Sequence, residues 1–150
     1  MTVALPPLRE IKDEALVAWL SEQGQPAFRA KQIRQWLYEK VVLSATEMTN
    51  LPVPLREALA RDFAVCSVSL LAEQKDAEGT TKWLLGLADG EVVEAVLIRA
   101  PDRLTVCIST QVGCPVRCSF CASGRHGLVR DLTSAEIVDQ VVFANHAADR

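Results

Sequence analysis

The feature that most constrains the fold is a change of hydrophobic period near residue 65. Before it, apolar residues recur at helical spacing. Ile11, Ala15, Leu16, Trp19 and Leu20 fall on one side of a helix spanning 10–23, which Gly24 and Pro26 stop. A second helix over 27–40 buries Phe28, Ile33, Trp36 and Leu37. Ser44 caps a short helix reaching Asn50, and 54–63 makes a fourth with Leu55 and Leu59 inward. After residue 65 the pattern turns to strands, at 68–73, 80–87, 92–98 and 103–109. Turns at Ala77–Glu78–Gly79, Asp89–Gly90 and Pro101–Asp102 separate them, and the Asp-Gly pair is a hairpin signal. A long loop, 110–131, follows, and then Thr133-Ser134-Ala135-Glu136, a capping box. Ile137, Val141, Val142 and Ala144 begin that helix's apolar face.

These elements predict an α+β chain with two parts. Residues 1–65 form a small helical module, and 66–150 a β-hairpin segment leading into a strand–loop–helix unit. One βα unit cannot close a sheet or bury both faces, so partner units or a longer chain are expected. With 49% hydrophobic and 23% charged residues, the 150-residue chain is far from disorder. No apolar run approaches the ~18 residues that cross a bilayer, and the start lacks a signal pattern. A cytoplasmic location and no membrane partner are the expectations. The net charge of −3 makes no global case for nucleic acid. Local basic groups remain: Arg29, Lys31 and Arg34, and a stretch without acids that holds Arg117, Arg125, His126 and Arg130. Surface charge of this kind is also simply a solvated face.

Three of the five cysteines, Cys114, Cys118 and Cys121, stand in a C-x3-C-x2-C spacing on the loop after a strand. An odd, clustered set in a chain without a signal reads as metal binding rather than a disulfide framework. Three thiolates can hold three irons of a [4Fe–4S] cluster and leave the fourth open. Zinc with His126 as fourth ligand is the other metal reading, and three unrelated buried cysteines the plainest one. Cys107 and Cys66 lie outside the group. On its own, Cys107 reads as a small buried strand residue. Glu94 sits among Val92, Val93, Ala95, Val96 and Leu97, where burial would raise its pKa; the alternative is an edge glutamate facing water.

The run Cys107-Ile-Ser-Thr-Gln-Val-Gly-Cys114, then Cys118-Ser-Phe-Cys121-Ala-Ser-Gly and Gly127-Leu-Val-Arg130-Asp-Leu-Thr-Ser-Ala-Glu-Ile, resembles the radical S-adenosylmethionine (SAM) dual-specificity rRNA/tRNA adenine-C2 methyltransferases, the RlmN/Cfr family. Phe28-Arg-Ala-Lys-Gln-Ile, Met48-Thr-Asn-Leu-Pro, Gly79-Thr-Thr-Lys-Trp and Asp89-Gly-Glu-Val-Val-Glu94 extend the likeness to about residues 10–145. The resemblance implies a [4Fe–4S] cluster on Cys114, Cys118 and Cys121, with SAM as second cofactor and an electron donor as partner. It implies methylation of adenosine C2 in 23S rRNA and in tRNA through a methyl-cysteine, which lies beyond residue 150 in the family. Cys107 aligns with the cysteine that resolves the covalent protein–RNA adduct, and Glu94 with a carboxylate that handles a proton. The helical module aligns with an RNA-binding accessory domain, and 103–148 with the start of an incomplete radical-SAM barrel. This chain is then an N-terminal part, inactive alone. Thr81, Arg99 and Asp131 depart from the family pattern. The motifs are shared by adenine-C8 methyltransferases, and a non-enzymatic iron–sulfur or zinc RNA-binding module is the reading from another class. Oligomeric state is not encoded in these features.

Overall fold

The computed structural model describes residues 4–148, which separate into two units: 4–67 with 145–148, and 68–144.

In the first unit, α1 (Asp13–Glu22) places Asp13 and Glu14 in its first turn, where the helix dipole favours negative charge. Gly24 ends it in the left-handed conformation (φ 66°), and Gln25 N–H donates to Leu20 O at 2.8 Å. After α2 (Phe28–Tyr38), Ser44 and Glu47 form a reciprocal capping box on a 3-10 turn, Ala45–Glu47. Pro54 lies in the first turn of α3 (Val53–Asp62), where its missing N–H costs no bond. Leu8, Leu16, Leu20, Ile33, Leu37, Met48, Leu55 and Leu59 form the core. A parallel bridge joins Pro7 to Ala64. Arg9, itself buried, donates to Val65 O at 2.5 Å and Leu37 O at 3.0 Å, closing the unit's two ends over its core.

Two residues expected inside are outside: Ala15 is exposed, and Phe28, at the first position of α2, is 59% exposed. The burial stripe of α2 runs through Ala30, Ile33 and Leu37, which leaves Phe28 on another face. Trp19 and Trp36 are half-buried because each indole N–H reaches a polar partner, Asp62 at 3.0 Å and Asn50 at 2.5 Å.

The second unit is built on an antiparallel sheet in the order β1 (Ser69–Lys75), β2 (Thr81–Gly86), β3 (Val92–Ala100), β4 (Arg103–Cys107). Gly79 and Gly90 take φ of 89° and 90° in its turns, as the two glycine-turn motifs require. One face is buried: Thr81, Trp83 and Leu85 of β2 pair with Leu97, Ala95 and Val93 of β3. Trp83 meets Phe143 of α4 (Ser134–Ala148) edge-to-face at 5.3 Å. The other face carries Lys82, Leu84, Glu94, Val96 and Cys107.

The strand at 103–109 was expected to open a βα unit. Instead it is the edge of this meander, because the two-residue turn at Pro101–Asp102 can join only antiparallel neighbours. Residues 110–131, expected as loop throughout, contain a two-stranded ribbon of β5 (Gln111–Gly113) and β6 (Leu128–Asp131). The capping box of α4 is present: Thr133 N–H donates to Glu136 Oε2 at 2.8 Å, and Glu136 N–H to Thr133 Oγ1 at 3.3 Å. The buried side of α4 includes Val142 and Ala144 of the apolar face expected but is otherwise different. Val141 is exposed, while Glu136, Asp139 and Gln140 are buried beside Ala135, Val142 and Ala144. Its polar residues are held by partners: Glu136 by Arg130, and Gln140 by the backbone of Ser109.

Candidate active site

The cysteine loop, 114–127, leaves from the end of β5 and returns to β6, so the ribbon holds its base. Cys114 N–H donates to Gly127 O at 3.1 Å. The crossing is too close for side chains. A Cβ at Gly113 (φ 78°) would stand 2.0 Å from Gly127 O, and one at Gly127 2.6 Å from the Arg117 guanidinium. Within the loop, Cys121 N–H donates to Cys118 O at 3.1 Å, and a 3-10 turn, Ala122–Gly124, follows. The backbone N–H groups of Ser123 and Gly124, with the Ser123 hydroxyl, point at the Cys121 sulfur and lower its thiol below the ordinary value. Such bonds stabilise a thiolate and tune iron–sulfur centres.

Cys114, Cys118 and Cys121 are all half-buried and none is in a disulfide. As a donor set they fit an iron–sulfur cluster in type, number and spacing. They are not gathered around a common point: among the described residues no three His, Cys, Asp or Glu side chains converge as they would on a metal ion. His126 is exposed.

Glu94 lies on the open face of the sheet, its side chain 58% exposed, with Lys82 Nζ 3.1 Å from Oε1. Its flanking chain neighbours do not enclose it. Val93 and Ala95 are buried, but strand alternation puts them on the opposite face. Cys107, expected as a buried strand residue on its own pattern, is exposed at the end of β4 opposite Val96. Register therefore places Glu94 and Cys107 on one face of adjacent strands, as diagonal neighbours. A cavity of about 480 Å³ adjoins Glu94. Leu84, Val92, Glu94, Ser109, Cys114 and Ser123 are among its lining residues. Glu94 and the first cluster cysteine thus share one cavity wall, and Cys107 stands on the same sheet face.

Of the basic groups, Arg34 is committed to the fold. It donates to Asp13 at 2.9 Å, to Leu8 O at 3.1 Å and to Ile11 O. Arg29 binds Gln32 and Asn50 O, and its guanidinium lies 5.2 Å from the Phe28 ring centre. Lys31 is exposed, as are Arg117, Arg125 and His126. Arg130 is bound to Asp89 at 2.6 Å and, through both terminal nitrogens, to Glu136 at 2.8 Å. It is structural. The departures from the family pattern also have places: Thr81 is buried in the sheet, Asp131 accepts from Gln111 Nε2 at 2.7 Å, and Arg99 is exposed with its Cδ near Gly79. Sequence reasoning missed Ser109, Ser123 and Gln140, since hydroxyl and amide residues carry no motif of their own here.

Comparison with known proteins places the chain among RNA methyltransferases. A family described as the ribosomal RNA large subunit methyltransferase N-terminal domain matches residues 7–65. A probable dual-specificity RNA methyltransferase, RlmN 3, of Opitutus terrae is 48% identical over 99% of this chain and 42% of its own length. Its counterpart from Exiguobacterium sibiricum is 46% identical over 91% of this chain and 38% of its own. The crystal structure of a radical SAM methyltransferase from Sphaerobacter thermophilus superposes with a TM-score of 0.85 at 41% identity, over 96% of this chain and 42% of that one. The chain thus spans about two fifths of the length of these relatives. Over the residues it spans, it belongs to the RlmN family of dual-specificity RNA methyltransferases and corresponds to their N-terminal region.

Proposed function

We propose that this chain supplies the cluster loop and part of the catalytic face of a cytoplasmic radical-SAM enzyme that methylates C2 of adenosine in 23S rRNA and in tRNA. The observation that carries the reading is the meeting of Glu94, Cys107 and Cys114 around one sheet face and its cavity. The β3–β4 register puts the Glu94 carboxylate and the Cys107 thiol on one exposed face, and the cavity beside it brings in Cys114.

Cys114, Cys118 and Cys121 would hold a [4Fe–4S] cluster, which when bound supplies the electron that cleaves SAM. Cys121 is prepared for ligation by the N–H groups at its sulfur. Glu94 faces the cavity with Lys82 beside it, so its carboxylate can accept a proton and pass it to water. Cys107, exposed and outside the ligand set, is free to attack as a thiolate. Its sulfur would bond to the sulfur of the RNA-bound cysteine. The sulfur–carbon bond to the methylated adenine breaks, the electron pair returns to carbon with a proton, and a disulfide remains for an external reductant. In the helical unit, Lys31 and Arg29 offer the RNA contact.

The test is a pair of variants in the complete enzyme. Cys107→Ala should retain iron and SAM cleavage and accumulate protein crosslinked to RNA. Cys118→Ala should lose the cluster and form no crosslink. One tightly held zinc in the wild-type protein, with no iron after anaerobic reconstitution, would refute the reading.

A further inference from the structure

The side chain of Gln140, the seventh residue of α4, is fully buried, and every polar atom of its amide is used. Oε1 accepts from Ser109 N–H at 2.9 Å. Nε2 donates to Ser109 O at 2.9 Å and to Glu136 O, in its own helix, at 3.0 Å. One amide thus pairs with both backbone groups of Ser109, much as a neighbouring strand would.

Ser109 occupies the point where the chain leaves the four-stranded sheet. β4 ends at Cys107 and β5 begins at Gln111, so the segment between has no ladder partner of its own. Its hydroxyl donates to Glu94 O at 2.7 Å, and it lines the same cavity as Glu94 and Cys114. Cys107 precedes it by two residues and Cys114 follows by five. Register already sets Cys107 opposite Val96, so the crossing from sheet to ribbon governs how firmly that strand end is held beside Glu94 and where Cys114 stands relative to it.

We propose that Gln140 is a positioning residue: by binding both backbone groups of Ser109 it holds the β4–β5 crossing, and through it the placement of Cys107 against Glu94 and the cluster loop. A buried glutamine is a costly way to fill a helix–sheet gap, since a methionine of similar volume brings no polar atoms to satisfy. The two bonds to Ser109 are the return for that cost. The inference rests on the proposed roles of Cys107 and Glu94 only for its catalytic consequence.

The experiment uses the complete enzyme. In the wild-type protein, Ser109 N–H should be protected from hydrogen exchange although it lies outside every strand. Exchange there at the rate of an open peptide would overturn the proposal without any variant. Gln140→Met should keep the volume while raising exchange at Ser109 by about tenfold or more, the loss expected for one buried hydrogen bond. It should bind iron, cleave SAM and accumulate the protein–RNA crosslink, as Cys107→Ala does. A merely structural role would lower the unfolding midpoint and leave the ratio of crosslink to free methylated RNA unchanged, which overturns the proposal. If Cys107→Ala itself traps no crosslink while Gln140→Met still releases Ser109, the role of Cys107 fails and the positioning of the crossing stands. Gln140→Glu keeps the acceptor and loses the donor, so it should show intermediate exchange at Ser109, and serves if the methionine variant does not fold.

Discussion

Replacing Arg130 by alanine is the perturbation whose size can be worked most directly. Its guanidinium makes two bonds to Glu136, whose side chain is 8% exposed, and one to Asp89, 42% exposed. The Asp89 bond is largely screened and worth about 1 kcal/mol at most. The Glu136 pair differs: its loss leaves a buried carboxylate with only the Thr133 N–H, a cost of about 2–3 kcal/mol. The total, about 3 kcal/mol, should lower the urea midpoint by about 1–2 M, read by far-UV circular dichroism. The pH dependence supplies the sign. Arg130 holds the Glu136 and Asp89 carboxyls below their ordinary values. Groups depressed in the folded state add stability above the unfolded pKa of about 4 and lose it as pH falls through the folded value. Arg130→Ala removes that contribution, so the gap between variant and parent should be full at pH 7 and shrink toward pH 3. A loss below about 0.5 kcal/mol at pH 7, or one of equal size at both pH values, would refute the assignment of Arg130 as the tie between the hairpin turn, β6 and α4.

Three further outcomes are expected. Val41 is β-branched yet sits at φ 49°, so Val41→Gly should raise stability by about 1 kcal/mol in a denaturant titration, the relief of left-handed strain less the added chain entropy. Gly113→Ala should cost more than about 2 kcal/mol and, in the complete enzyme, abolish iron incorporation, because its Cβ would overlap the Gly127 carbonyl at the base of the loop. Arg34→Ala should destabilise by about 2 kcal/mol by orphaning the Leu8 and Ile11 carbonyls, whereas Lys31→Ala should leave stability alone and reduce both RNA affinity and its salt dependence in a filter-binding series.

Much of the local structure was legible because its signals are local. The capping boxes at Ser44 and Thr133, the glycine turns at 79 and 90 and the core of the first three helices depend on residues within four or five positions of each other. The misreadings come from partners remote in sequence. Arg130 looked like a free cation in a stretch without acids, but Asp89 lies 41 residues away and reaches it through the hairpin. Arg34 looked equally free, and its acceptors are carbonyls, which no residue type reveals. On α4 a search for apolar period passed over Glu136 and Gln140, whose burial depends on Arg130 and Ser109. Glu94 was read by its neighbours in the chain, whereas its environment is set by strand alternation. The three-residue strand β5 is too short to carry any period. Of the candidate site, the cysteines were legible by spacing, and the cavity that joins Cys114 to Glu94 was not.

The ribbon of β5 and β6 has a consequence for how a metal would be acquired. Because Cys114 is tied to Gly127 and the ribbon pairs on either side, residues 114–127 form a ring closed at its base. The entropy of bringing those ends together is already spent when the sheet forms. Each thiol then meets an incoming iron at the high effective concentration of a short tether, and capture becomes a chelate process in which the first bond recruits the next two. Any metal loading on these thiols would then be separate from folding, unlike in small zinc domains where removing the metal dissolves the structure. The ribbon's own ladder bonds, not a metal, hold the base of this ring.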